Sequence, residues 1–89
     1  VAHRSQFVGE VRAVADGWAE VETKNKFSVG DRIEIIHPSG NRIVKLEQMK
    51  DKNGAAIDVA AGSPTHVWIP YPHADANALI ARLLDTADA

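Results

Sequence analysis

Four histidines, His3, His37, His66 and His73, are the first residues whose chemistry invites a site. A metal centre needs ligands brought together, yet no two of them stand as H-x-H or H-E-x-x-H. His37 and His66 fall on different expected strands and could approach one another across a closed sheet. Two neutral imidazoles without a carboxylate make a poor metal site, so all four read as structural or solvent-exposed. Serine chemistry fares no better. Ser5, Ser28, Ser39 and Ser63 lack the G-x-S-x-G elbow, and Ser39 and Ser63 adjoin prolines as turn residues. Cysteine is absent, which excludes a thiol nucleophile, a Cys-ligated zinc and an iron–sulfur cluster held by this chain. No P-loop or G-x-G-x-x-G occurs, and Gly30, Gly40 and Gly54 are isolated turn glycines. Glu20 and Glu22 alternate with Lys24 on one expected strand face, with Arg12 as a cross-strand partner, and read as a solvated charged surface. No catalytic residue and no metal ligand is assigned, so the chain by itself is not expected to be an enzyme.

Two groups stand above this background. Lys24 and Lys26 lie in one loop, and Arg32, Arg42 and Lys45 can extend them into a local basic patch for an RNA backbone. Glu34 and Glu47 are interleaved with these bases, and the net charge is −2, so any such field is weak. The second group is Trp18, Trp68 and Tyr71. The tryptophans have outward parity on their strands, which predicts a covering element or an interface, and packing is favoured over base stacking. Leu79 and Leu83 join them as interface candidates.

The elements that must position these residues alternate with a period of two over most of the chain. Phe7 to Val14 reads as a first strand, with Phe7, Gly9, Val11 and Ala13 on one side. Asp16-Gly17 marks a hairpin turn, and Trp18 to Lys24 alternates as a second strand with one wet face. Phe27 and Val29 anchor a Gly30-Asp31 turn before a third strand from Arg32 to His37. Pro38-Ser39-Gly40-Asn41 turns the chain into a fourth strand, Ile43 to Met49, whose parity slips after Leu46 as at a bulge. Asn53-Gly54 predicts a type I′ turn, Ile57 and Val59 mark a short fifth strand, and Thr65 to Ile69 is the sixth. Ala76, Leu79, Ile80, Leu83 and Leu84 form one helical stripe behind Asp75 as N-cap. The predicted class is all-β: a small six-stranded barrel with a short C-terminal helix. Residues 1–6 read as a linker from an N-terminal catalytic domain, 7–72 as the barrel, and 73–89 as the amphipathic helix and tail.

Length and composition agree with one small globular domain: 89 residues, 45% hydrophobic and 25% charged. The apolar runs are far shorter than the roughly 20 residues of a membrane span, and no signal peptide is evident. The chain opens with Val1 rather than Met, as a piece of a longer protein would.

The run Phe7-Val8-Gly9-Glu10-Val11, then Ala19-Glu20-Val21-Glu22 and Lys24-Asn25-Lys26-Phe27-Ser28-Val29-Gly30-Asp31-Arg32-Ile33-Glu34, closely resembles the C-terminal domain of the collagenase-like peptidase family U32. The nearest branch is that of proteases and tRNA 5-hydroxyuridine modification proteins. The resemblance covers nearly the whole chain and is looser after Asn53; the Ala-rich tail from Ala74 departs from the shorter endings of the family. The Val-Gly-Asp turn before an Ile-x-Ile strand also resembles the small barrel of translation factors, such as domain two of elongation factor Tu. The resemblance implies a barrel that follows a larger catalytic domain with a TIM-barrel-like core. In the modification branch that domain carries the cysteines and is linked to an iron–sulfur cluster and prephenate-dependent hydroxylation of wobble uridine. The older family name implies proteolysis of collagen-like substrates. None of those catalytic residues maps onto this chain.

Two roles follow as expectations. One is a cytoplasmic accessory module that positions tRNA for the catalytic domain through Lys24, Lys26, Arg32, Arg42 and Lys45. The other is a docking or protein-interaction module, in which Trp18, Trp68, Tyr71 and the tail helix meet the catalytic domain or a second subunit; a separate alternative is the substrate-binding domain of a genuine collagenase-like protease. The expected partners are the N-terminal catalytic domain of the parent chain and tRNA, with neither a membrane nor DNA.

Overall fold

The structure, a computed structural model, describes residues 4–62 and 65–84. His3, Ser63 and the tail beyond Leu84 lie outside the described residues. Among the described residues nine strands follow in chain order: β1 (Ser5–Ala15), β2 (Trp18–Thr23), β3 (Phe27–Ser28), β4 (Arg32–Ile36), β5 (Arg42–Lys45), β6 (Lys50–Asp51), β7 (Val59–Ala60), β8 (Thr65–Pro70) and β9 (Leu79–Leu83). Seven form one antiparallel sheet in the order β5-β4-β9-β1-β2-β8-β6, and β3 pairs with β7. The sheet curls into a half-barrel with β5 and β6 as its edges. The all-β class and small-barrel architecture hold, and the six expected strands correspond to β1, β2, β4, β5, β7 and β8.

The C-terminal helix does not form: among the described residues there is no helix, and Leu79–Leu83 is strand β9. It lies between β1 and β4, pairing Ile80 with Gly9 on one side and with Ile35 on the other. An apolar run this short cannot be assigned to helix or strand by periodicity. The decision is tertiary. β1 and β4 would each present an unpaired edge without β9, while a helix of one or two turns gains little alone. Ile80 and Ala81 are buried in succession, whereas Leu79 of the expected helical stripe is 44% exposed.

Gly9 lets β1 serve two neighbours. An added Cβ would stand 2.5 Å from Val21 Cγ1 and 2.7 Å from the Glu22 carbonyl oxygen, so only glycine allows β2 this close. β1 also carries register shifts between Phe7 and Gly9 against β9 and between Val11 and Ala13 against β2. The first shift corrects the expected parity: Val8 is buried, while Phe7 is 40% exposed.

The turns are redistributed as well. Asp16 and Gly17 both have positive φ, 53° and 82°, the backbone signature of a type I′ hairpin. At Asn53-Gly54 only Gly54 is positive, so the expected I′ turn is absent there. Asp51 holds that turn instead, its Oδ1 accepting the Asn53 and Ala55 N–H groups. The expected fourth strand stops at Lys45. Leu46 and Met49 then both enter the core from a connection that leaves the ladder, so the parity slip is a break rather than a bulge. The core comprises the inward side chains of the curled sheet, among them Val21, Ile33, Val67, Ile69 and Ile80, together with Phe27, Leu46 and Met49.

Candidate functional site

The five expected RNA-contacting bases divide between separate places. Lys24 lies 3.1 Å from Glu22, and Arg12 approaches the same carboxylate at 3.4 Å. The hydrogen bond and charge of Lys24 hold the Glu22 carboxyl below its ordinary pKa, helped by Arg12. Lys26 lines a polar cleft of about 480 Å³ with Gln6, Asn25, Ser28, Asp31 and Arg82. Arg82, which the sequence did not single out, donates to Gln6 Oε1 at 3.3 Å; its Nε is buried with no partner among the described residues. The turn at this cleft is closed from both ends, since Ser28 N–H donates to Asp31 Oδ2 and Asp31 N–H to the Ser28 carbonyl.

Arg32 and Lys45 stand directly opposite one another on β4 and β5, a like-charge pair that costs stability and concentrates positive potential. Lys45 and Arg42 rim a groove of about 390 Å³ whose floor is Ile35, Val44, Leu46 and Tyr71.

The aromatic candidates also separate. Tyr71 is only 5% exposed, which corrects its assignment to an outward interface. Burial, then the charge of Asp75, pushes its phenol pKa up. Its hydroxyl donates to the Asp75 carbonyl at 2.9 Å. Leu79 is 44% exposed and Leu83 half-buried, but as strand residues they do not form the expected helix face.

Beside Tyr71 lies a cluster whose partners are far apart in the chain. The rings of His37 and His73 stack with centroids 3.7 Å apart, and Tyr71 meets His73 edge-on. His37 Nε2 faces Asp75 Oδ1 at 2.9 Å, while its Nδ1 is 2.7 Å from Ser39 Oγ. The Ser39 N–H also donates to that Nδ1, so the imidazole locks the Pro38–Gly40 turn. Hydrogen bonding from His37 depresses the Asp75 pKa. Thus His37 finds His73 and Asp75 rather than His66, which lies opposite Glu22 on β8. Among the described residues no group of three or more His, Asp or Glu is placed to hold a metal ion.

Trp18 and Trp68, both half-buried, share a third cleft of about 450 Å³. The register places Trp18 opposite Pro70 and Trp68 opposite Glu20, which makes the indoles diagonal neighbours on one sheet face. Lys50 on β6 is opposite Trp68, and its ammonium reaches over Trp18, 4.3 Å from the ring centroid. Lys52, Asn53 and Gly54 of the following turn, with Ala15 and Asp16 of the β1–β2 hairpin, complete the lining. Lys50 and Lys52 escaped the sequence because only the β6–β8 pairing brings them to the tryptophans.

Residues 3–82 match the model of the peptidase family U32 C-terminal domain. The chain belongs to that family. A relative named tRNA hydroxylation protein P, from Escherichia coli (strain K12), is 45% identical over 73 residues, covering 81% of this chain and 16% of the relative. A protein of the same name from Haemophilus influenzae is 37% identical over 86 residues, covering 94% of this chain and 18% of its own length. The chain therefore spans less than a fifth of the curated relatives it matches. The crystal structure of the C-terminal domain of a U32 peptidase from Geobacillus thermoleovorans superposes with a TM-score of 0.77 at 23% identity, covering 86% of this chain and 91% of that one. Its selenomethionine variant gives a TM-score of 0.75 at 25% identity, covering 86% and 98%. The likeness to these domains establishes the shared small-barrel fold of the U32 C-terminal domain.

Proposed function

We propose that the chain is a non-catalytic accessory module of a tRNA hydroxylation protein, helping to hold RNA for a catalytic domain in the N-terminal part of the same cytoplasmic protein. The observation that carries this is the pair of relatives named tRNA hydroxylation protein P, which match over 81% and 94% of the chain. The chain supplies less than a fifth of their length, leaving ample chain for the reaction elsewhere. The iron–sulfur cluster and prephenate implied by the family resemblance belong to that remainder, since no cysteine is present here to ligate a cluster. Lys26, Arg32, Arg42 and Lys45 on the outer surface supply cations that a phosphate backbone can meet.

The experiment is tRNA binding by the 89-residue chain across a salt series, beside a Lys24→Ala/Lys26→Ala variant. Each phosphate contact contributes about 0.7 to 0.9 to the salt slope; Lys24 is paired with Glu22, so the variant loses the Lys26 contact and lowers the slope by about 0.7 to 0.9. Absence of binding by either protein at low salt overturns the RNA role. It would favour the second reading, a docking module for the catalytic domain, which rests on the exposed Leu79, Ile43 and Phe7.

A further inference from the structure

We propose that the cleft containing Trp18 and Trp68 is a binding site for an unpaired nucleobase of single-stranded RNA. In this site Trp68 is the stacking surface, and Lys50 and Lys52 meet the flanking phosphates. This rests on the RNA-facing function proposed above and adds its location and the form of RNA selected.

Three observations converge. The indoles are half-buried and adjacent on one sheet face, offering flat apolar surface fixed by the β2–β8 ladder. Stacking on such a surface needs no particular base edge, because every base has a π-face. The second observation is the state of the cations. Lys24 is already neutralised by Glu22, but the Lys50 ammonium is held by the Trp18 ring and has no carboxylate partner among the described residues. A cation anchored over an aromatic face keeps its charge available to a phosphate. Lys52, exposed on the adjoining turn, gives a second. The third is shape. A volume of about 450 Å³ falls in the range of small-molecule sites, and Asn53 and Asp16 bring donors and acceptors to its rim.

The charge arrangement favours a single strand over a duplex. Asp16 in the cleft and Glu20 beside Trp68 oppose the dense phosphate field of a helix. They leave stacking intact, and stacking is available only to a base outside a duplex. A protein partner fits less well, because lysine is depleted at the centres of protein interfaces and two lysines line this cleft.

The test uses the 89-residue chain, tryptophan fluorescence, and three probes: a single-stranded uridine oligonucleotide, a duplex RNA of equal length, and tRNA. Saturable quenching by the single strand and not by the duplex is expected. Trp68→Ala should weaken single-strand binding about tenfold or more, with Trp68→Phe recovering most of it. Lys52→Ala should lower the salt slope by about 0.7. Circular dichroism melts of each variant separate lost binding from lost folding, and Lys52→Ala, on an exposed turn, tests the site even where a tryptophan variant unfolds. Unchanged affinity for tRNA in a folded Trp68→Ala variant overturns this site while leaving the RNA-facing function standing. Equal quenching by duplex and single strand also overturns it. No binding of any of the three probes at low salt overturns both.

Discussion

Around Tyr71, rings and polar atoms engage one another, whereas around Trp68 they face solvent. In the first region the His37 nitrogens hold Ser39 and Asp75, the Tyr71 hydroxyl holds the Asp75 backbone, and the imidazoles stack. In the second, two indoles and two ammonium groups line an open cleft with one cation–ring contact among them. Both are aromatic clusters that join residues distant in the chain. The difference shows that aromatic content alone does not mark a site. Polar groups already satisfied inside the fold contribute to stability, and unsatisfied ones at a surface are available for a ligand.

The largest effect expected from this contrast is on stability. Tyr71→Ala empties a core position and should cost about 3 kcal/mol, lowering Tm by more than 10 °C. Trp68→Ala, at a half-buried position, should cost about 1 kcal/mol. Paired thermal melts check the ranking; equal losses would erase the distinction between the clusters.

A second effect is confined to acid. The Asp75 pKa is lowered in the fold, so its contribution is complete above the unfolded value near about pH 4 and fades as pH falls through the folded value. Asp75→Asn should therefore be less stable at neutral pH and should lose less on acidification, its curve approaching that of the parent at low pH. Glu22 shifts in the same direction, so some acid sensitivity persists in that variant. Denaturant unfolding between about pH 2 and pH 6 reads both.

The smallest effect reverses sign. His73 Nε2 is buried without a hydrogen-bond partner among the described residues. His73→Phe keeps a ring against His37 and removes that atom, so stability should be unchanged or raised by about 1 kcal/mol. A clear loss in a denaturant titration would mean the nitrogen is satisfied in solution.

Much of this was legible in the residues. The alternation from Trp18 to Thr23 and from Thr65 to Ile69 marked β2 and β8, and it put both tryptophans on the outer face. The Val29-Gly30-Asp31 turn followed from glycine's access to positive φ, here 100°. The U32 membership was readable from Phe7–Val11 and Asn25–Asp31. Other features had no local signal. The stripe from Ala76 to Leu84 obeyed a helical period, yet residues 79–83 became a strand because two distant edges needed a ladder between them. His37 met His73 and Asp75 across 36 and 38 residues of chain, and Lys50 met Trp18 across 32, through pairings no spacing rule encodes. The sequence by itself determined the β class, the Asp16-Gly17 and Gly30-Asp31 turns and the outward face of the indoles, because side-chain alternation and glycine backbone freedom act within a few residues. The tertiary structure alone decided which cations reach those indoles and which polar atoms satisfy one another, because those contacts depend on strand order and register across the whole sheet.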